Sequence, residues 1–217
     1  MAEIHRTTLS PTKLELLATW LPKQPWYRGG GSGPAVLEKA GGFRLDDPAG
    51  EVGIEFMAVT DTAGDEPVTY HVPLTYRGAP ADGLDAALVG TSEHGVLGKR
   101  WVYDGPHDPV LCAQLLALAR GEAEAQAQSL SDTPDPSVHG RWDGPLPEGE
   151  ATPSGVVSGP EGTSTVLCDG RLMLRTHRVL RAADAEFPPG IVGYVSGLAP
   201  ADLSARSLYA SFHLPTP

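Results

Sequence analysis

An alternation of apolar and polar residues between Glu51 and Tyr76 constrains the fold of this chain more than any other feature. In its first half the apolar residues occupy every second position, and the series is Val52, Ile54, Phe56 and Ala58. After a turn at residues 61–65 the same period resumes, with polar residues on the opposite face at Thr69, His71 and Thr75. Since a period of two is that of a β-strand, the segment predicts an antiparallel hairpin with one buried and one solvated face.

Two residues of the second strand of this hairpin carry further expectations. Pro73 has no N–H group to donate to a neighbouring strand, so it predicts that the strand lies at the edge of a sheet or at a bulge. His71 lies on the polar face, and we interpret it as a solvated histidine rather than as a ligand.

Two helices and a third strand accompany the hairpin. The first helix is predicted to begin at Ser10-Pro11, with a leucine face that ends at Leu21. The third strand is predicted over residues 99–103. The second helix is predicted to be capped by Asp108 and started by Pro109, with Gly121 placed to end it. Strands followed by a packed helix predict an α+β fold with an antiparallel sheet.

The composition changes after the second helix. Residues 122–155 are rich in Ala, Gln, Ser, Pro and acidic residues, which is typical of a helical tail that passes into a linker. Strand-like patterns then return at residues 163–167, 171–180 and 207–212, with Asp169-Gly170 as a hairpin turn. We therefore predict a first domain over residues 1–137, a linker over 138–160 and a small β-rich region over 161–217.

Charge and motif content exclude several function classes. The chain has 16 Lys and Arg against 27 Asp and Glu, a formal charge of −11, which argues against binding to nucleic acids or anionic membranes. No stretch approaches the roughly 20 apolar residues of a membrane span. The 7 histidines are dispersed, without a zinc-binding pair, and no serine-hydrolase motif is present, so we assign neither a metal site nor a catalytic residue. Cys112 and Cys168 predict buried free thiols, and we expect a cytoplasmic protein.

Four short elements within residues 1–120 carry a resemblance. In chain order they are Trp20-Leu21-Pro22, Tyr70-His71-Val72-Pro73-Leu74, Trp101-Val102-Tyr103-Asp104 and His107-Asp108-Pro109. In this order they resemble the N-terminal cap domain of actinobacterial maltokinases, which are sugar kinases with a protein-kinase-like core. The resemblance implies a sheet with packed helices, cystatin-like in outline, over residues 1–137.

A second part of the resemblance lies in residues 159–175, which resemble an altered start of the kinase lobe. In maltokinases the corresponding hairpin carries a Gly-Glu-Gln-Ser-Asn-Thr-Ser loop over the phosphates of ATP, and the next strand supplies a lysine. The resemblance implies cofactor-binding positions at Glu161, Ser164, Thr165 and Arg175. Here the loop differs and Arg175 replaces the lysine, and a planar guanidinium does not reproduce the point charge of an ammonium group.

The catalytic segments of such a kinase are not recognisable in the sequence. Phosphoryl transfer needs one carboxylate near the attacking hydroxyl and another on magnesium, whereas the chain offers only His139-Gly140-Arg141 where a His-Gly-Asp loop is needed. We therefore expect a non-catalytic, cap-like protein without a cofactor of its own. Its expected role is as a binding or regulatory partner of a sugar kinase or another enzyme of glucan, trehalose or amino-sugar metabolism.

Two alternatives remain open at this level. In the first, the protein is a subunit whose kinase site is completed in trans by another chain, and only then would ATP and magnesium bind. In the second, the protein is a small-ligand-binding module that uses the concave face of its first sheet, for which an apolar cavity with a few converging polar groups is the diagnostic feature.

Overall fold

The part of the chain that the structure describes builds two antiparallel sheets and two short helices, which agrees broadly with the predicted α+β class. The computed structural model describes residues 9–29, 34–130, 132–182, 190–200 and 202–215. The first sheet has the strand order β1-β5-β6-β4-β3-β2-β7. Its strands are β1 (Leu9–Ser10), β2 (Leu37–Leu45), β3 (Gly53–Asp61), β4 (Val68–Arg77), β5 (Leu88–His94), β6 (Gly98–Asp104) and β7 (Gln126–Ala127).

The second sheet contains the remaining strands, in the order β8-β12-β13-β11-β10-β9. They are β8 (His139–Trp142), β9 (Gly155–Gly159), β10 (Gly162–Leu167), β11 (Leu172–Thr176), β12 (Ile191–Ala199) and β13 (Asp202–His213). The predicted strands at 163–167 and 207–212 are thus present. Asp169 and Gly170 lie in a short 3-10 turn before β11 rather than in a two-residue hairpin.

The predicted hairpin is formed by β3 and β4, but the prediction of a solvated face was wrong. Both faces of these strands are buried, and the His71 side chain, which we expected in solvent, has no exposed surface. One face packs against Leu17, Leu21 and Trp26. The other packs against the second helix and the second sheet. The polar residues of β4 are therefore buried because a second layer covers them.

Pro73 lies inside the first sheet, where we expected an edge or a bulge. Strand β4 pairs with β6 only from Leu74 onward. Farther along the same edge, residues 178–180 pair with β4 in place of β6. There the His71 N–H donates to the Arg178 carbonyl at 2.9 Å. Pro73 thus falls between two pairing partners, at a point where β4 needs no donor.

Both helices are present, with one correction. The helix α1 spans Lys13–Trp20 and is capped by Thr12 and Glu15 in a capping box, so it begins later than the predicted start at Ser10. The helix α2 spans Pro109–Ala119 and has the predicted cap, since the Asp108 side chain accepts from the Val110 N–H. Residues beyond α2 do not continue as the helical tail that we expected.

The segment predicted as a linker contributes structure to the second sheet. Its residues 139–142 form β8 and its residues 155–159 form β9. Short strands of this kind have too little apolar content to be recognised from sequence, because their register is set by neighbours far away in the chain. The predicted domain boundaries, like the cystatin-like outline, stay a prediction.

One apolar core is shared by both sheets and α2. It contains Phe43 and Phe56 from the first sheet, Leu115 from α2, and Tyr209 and Phe212 from the second sheet. The ring of Tyr209 meets that of Phe43 edge to face at 5.7 Å and that of His71 at 4.8 Å. The second sheet therefore completes the core of the first.

Candidate functional site

Of the four sequence-predicted cofactor positions, three are divided between the two faces of the second sheet and the fourth lies in a turn. Ser164 pairs directly with Arg175 across β10 and β11, so their side chains share one face. Thr165 points to the other face, where it is fully buried and its hydroxyl donates to the Pro106 carbonyl at 3.2 Å. Glu161 lies in the turn before β10, and its backbone carbonyl accepts from Arg175 Nη2 at 3.5 Å. The structure thus brings Ser164 and Arg175 together and turns Thr165 away.

Around Arg175 the structure assembles a cluster that the sequence reasoning missed. Arg175 pairs across the sheet with Ser211. The Ser211 hydroxyl lies between two imidazoles, 3.0 Å from His177 Nε2 and 2.9 Å from His213 Nε2. We call Arg175, His177, Ser211 and His213 the Arg175 cluster. The only sequence signal for it is that Arg175 and His177 lie two residues apart, as do Ser211 and His213. This spacing places both members of a pair on one face of a strand, but it does not bring the two pairs together.

The electrostatics of the Arg175 cluster are those of a positive site. Burial, then the positive charge of Arg175, lowers the pKa of His177 to about 4. The same two causes lower the pKa of His213. Arg175 forms no ion pair with the described residues, and its Nε atom is shielded from solvent without a hydrogen-bond partner. Such a site repels cations, and within the described ranges no group of ligands suited to a metal ion occurs.

A buried ion pair lies where the two sheets join. Arg178 Nη2 contacts both carboxylate oxygens of Asp104, at 2.7 and 2.6 Å, and Arg178 Nε donates to the Thr163 hydroxyl at 2.9 Å. The guanidinium carbon lies 4.7 Å from the ring centroid of Trp26. The Arg178 side chain has no exposed surface and that of Asp104 only 6%. This contact joins the ends of β6 and β10 to the strand segment beside β4.

His71 is held neutral beside this junction. Its Nδ1 atom lies 3.1 Å from the carbonyl of His177, which can only accept, so Nδ1 carries the ring proton. Burial, followed by the charge of Arg178, lowers the pKa of His71 to about 3. His71 therefore stays uncharged in the folded protein throughout the neutral and mildly acidic range.

We expect stability to fall as the pH drops below about 6.5. His71 and His177 have folded-state pKa values below that of an unfolded histidine, so the unfolded chain binds more protons. Each of the two then costs up to about 1.4 kcal/mol per pH unit below 6.5. Urea unfolding at pH 7, 6 and 5 measures this slope. His71→Phe should make it shallower, while His139→Gln, at an exposed position of β8, should leave it unchanged; an undiminished slope in His71→Phe would contradict the assignment.

A pocket opens at the junction between the two sheets. Its volume is about 170 Å³, and its walls include Gly42 and Phe43 of β2, and Leu203 and Tyr209 of β13. Asp135 also lines it, and the Asp135 carboxylate accepts from the N–H and hydroxyl of Ser137 at 3.0 and 2.6 Å. A small apolar pocket with a few polar groups is the feature that the small-ligand alternative requires.

Comparison with known proteins gives one family match, which lies within the first half of the chain. A search of curated proteins found no match. In the part of the chain that the structure describes, no helix is long and apolar enough to cross a membrane. Residues 20–108 match the family model of the maltokinase N-terminal cap domain, a segment that runs from the end of α1 through β2–β6 to the cap of α2. The match confirms the resemblance of this part of the sequence to the maltokinase N-terminal cap domain.

Proposed function

We propose that this protein is a non-catalytic, maltokinase-related binding module that acts on a partner in glucan, trehalose or amino-sugar metabolism. The observation that carries the proposal is the division of the phosphate-loop positions between two faces of a sheet. Ser164 and Arg175 lie on one face, whereas Thr165 is bonded to Pro106 within the core.

This arrangement does not suit a triphosphate with magnesium. A phosphate-binding loop must direct neighbouring groups toward the same oxygens. Here β10 is a regular strand paired on both sides, so Ser164 and Thr165 necessarily point in opposite directions. Rotating Thr165 outward would break its hydrogen bond and expose the core behind it. The segment therefore serves the packing of the cap domain.

The proposed partner is a kinase domain or another enzyme of the same metabolism. A maltokinase cap domain is by its family associated with a kinase domain. The proposed location is the cytoplasm, which suits two buried cysteines that are free thiols. A second candidate function is the binding of a small ligand, which the pocket beside Asp135 favours.

We expect the purified protein to form no sugar phosphate from ATP, magnesium and either maltose or glucosamine. The reason is that no described segment directs a phosphate-binding loop and a reactive hydroxyl to one place. Product formation is measured by chromatography after long incubation, with a complete sugar kinase as the positive control. Robust turnover by the protein alone would refute the non-catalytic role.

The same assay separates the alternative in which another chain completes the site. The protein is recovered from its native host with its bound chains, and these are identified and assayed together. Turnover by the recovered complex that is lost when either chain is omitted would establish a kinase completed in trans. Recovery of a bound enzyme whose own rate changes on addition of the cap protein supports the regulatory role.

A further inference from the structure

We propose that the Arg175 cluster, together with the neighbouring Ser164, is a binding site for a small tetrahedral oxyanion, either inorganic phosphate or the phosphate group of a small ester. This site goes beyond the proposed function and does not depend on it. It retains two of the sequence-predicted positions and adds His177, Ser211 and His213, which only the folded chain brings to them.

The first argument is the unused donor capacity of Arg175. Its guanidinium has five N–H groups in a planar fork that matches an oxyanion. Its hydrogen bond to the Glu161 carbonyl, at 3.5 Å, is at the outer limit for such a contact, and Nε has no partner although it is shielded from solvent. A buried donor without an acceptor costs free energy. An oxyanion at this place supplies the acceptor that Arg175 Nε lacks.

The second argument is the proton arrangement around Ser211. When both imidazoles are neutral, the single hydroxyl proton goes to one Nε2, and the other Nε2–H donates to Oγ. When both are protonated, Oγ accepts from both rings, and the Ser211 O–H is free to donate elsewhere. An approaching anion favours this second state because it adds negative charge beside two imidazolium groups.

The third argument is the charge of the surroundings. The chain as a whole carries −11, yet among the described residues the ionisable groups that act on one another here are Arg175, His177 and His213. On the next strands, Ser211 pairs with Tyr194 and Tyr194 with Arg141, whose charge is already paired with Asp143 at 2.6 Å. Glu161, in the turn before β10, is exposed, and Arg175 contacts its backbone carbonyl. Among the described residues, this face thus carries the charge of Arg175, which forms no ion pair there, in an otherwise acidic protein.

The test is a titration of the 217-residue chain with phosphate at pH 6 and pH 8. Binding is measured from amide chemical shifts in NMR spectra, and chloride keeps the ionic strength constant. We expect saturable shifts at the cluster residues at both pH values, because the Arg175 guanidinium keeps its charge at both. Glucose 6-phosphate and inorganic phosphate are compared in separate titrations. Tighter binding of the ester assigns the site to a phosphorylated metabolite, and equal binding assigns it to the free ion; both support the site.

Matched variants decide whether the cluster is the site. Arg175→Gln should weaken phosphate binding at least tenfold, and His213→Gln should weaken it by a smaller factor. The control is Arg171→Gln, which changes the net charge equally and also removes one bond from an arginine to a backbone carbonyl, that of Glu148 at 3.3 Å; it should bind like the parent. Unliganded spectra verify that each variant is folded. Absence of saturable binding at both pH values, or equal weakening by Arg171→Gln and Arg175→Gln, would overturn the proposal.

Discussion

Replacing Asp104 by alanine should lower the free energy of unfolding by about 3–5 kcal/mol, which is the cost of leaving a buried charge without its partner. Arg178 has no exposed side-chain surface, and its Nη2 atom depends on the two oxygens of Asp104. In the variant, the guanidinium keeps only the Thr163 hydroxyl and the ring of Trp26. Urea denaturation at pH 7, followed by circular dichroism, measures the change.

Two further variants test the cause of this loss. Asp143→Ala removes an ion pair of similar length, 2.6 Å, between side chains that are more than 60% exposed, and it should cost only about 0–1 kcal/mol. The double variant Asp104→Ala with Arg178→Met should be more stable than Asp104→Ala alone, because it removes the unpaired charge. The ion pair is not the origin of the effect if the double variant loses as much free energy of unfolding as Asp104→Ala and Arg178→Met lose together when they are made singly.

Replacing Phe212 by alanine should destabilise the cap domain and the second sheet together, by about 3–5 kcal/mol. Phe212 is fully buried in the second sheet, 5.6 Å from the ring of Trp142, and belongs to the core that includes Phe43 and Phe56 of the first sheet. The prediction is tested in a Trp142→Phe background. There the remaining tryptophans, Trp20, Trp26 and Trp101, all lie within the matched cap segment.

Fluorescence in that background reports on the cap domain alone, and circular dichroism reports on the whole chain. We expect the two urea transitions to coincide and to shift together in Phe212→Ala. Phe43→Ala, which removes the same ring from the first sheet, should behave in the same way. Leu203→Ala, at a position of β13 that is 71% exposed, should change stability by less than about 0.5 kcal/mol. An unmoved fluorescence transition in Phe212→Ala would show that the cap domain folds independently of the second sheet.

The elements that could be predicted are those whose signals lie within a few residues. The strand pair β3–β4, the strand β6 and the helix α2 were all predicted, because period-two alternation and the Asp108-Pro109 start are local patterns. Strand β12 contains three glycines or serines among its nine residues and was missed. It is fixed instead by pairing with β8 and β13. Non-local pairing leaves no pattern within the strand itself.

The environment of β4 shows why burial could not be predicted from the same pattern. Polar residues at alternate positions normally indicate a solvated face, and His71 was interpreted in that way. In the structure a second sheet covers that face, and the polar side chains find partners there. Thr75 donates to Asp108 at 2.8 Å, and His71 meets the carbonyl of His177. A polar side chain with a hydrogen-bond partner can be buried, and the partners lie about 30 and 100 residues farther along the chain.

The residues of the candidate site also fall into two groups, those that the sequence indicated and those that only the fold brings together. Arg175 and Ser164 were reached through a family resemblance, while His177, Ser211 and His213 had no distinguishing signal as separate residues. They meet because β11 pairs with β13 in a register that sets Arg175 opposite Ser211. Thr165 fell out of the predicted set for the same reason, since the pleat of β10 turns it into the core.

The sequence by itself determined the similarity of residues 20–108 to the maltokinase N-terminal cap domain, the strand pair β3–β4 and the start of α2, because each rests on residues close together in the chain. Only the tertiary structure decided that the region after the cap completes its core, that His71 and Arg178 are buried, and that a positive cluster forms around Arg175. These features depend on contacts between residues far apart in sequence, and the free energy of such contacts depends on which surfaces the whole fold removes from water.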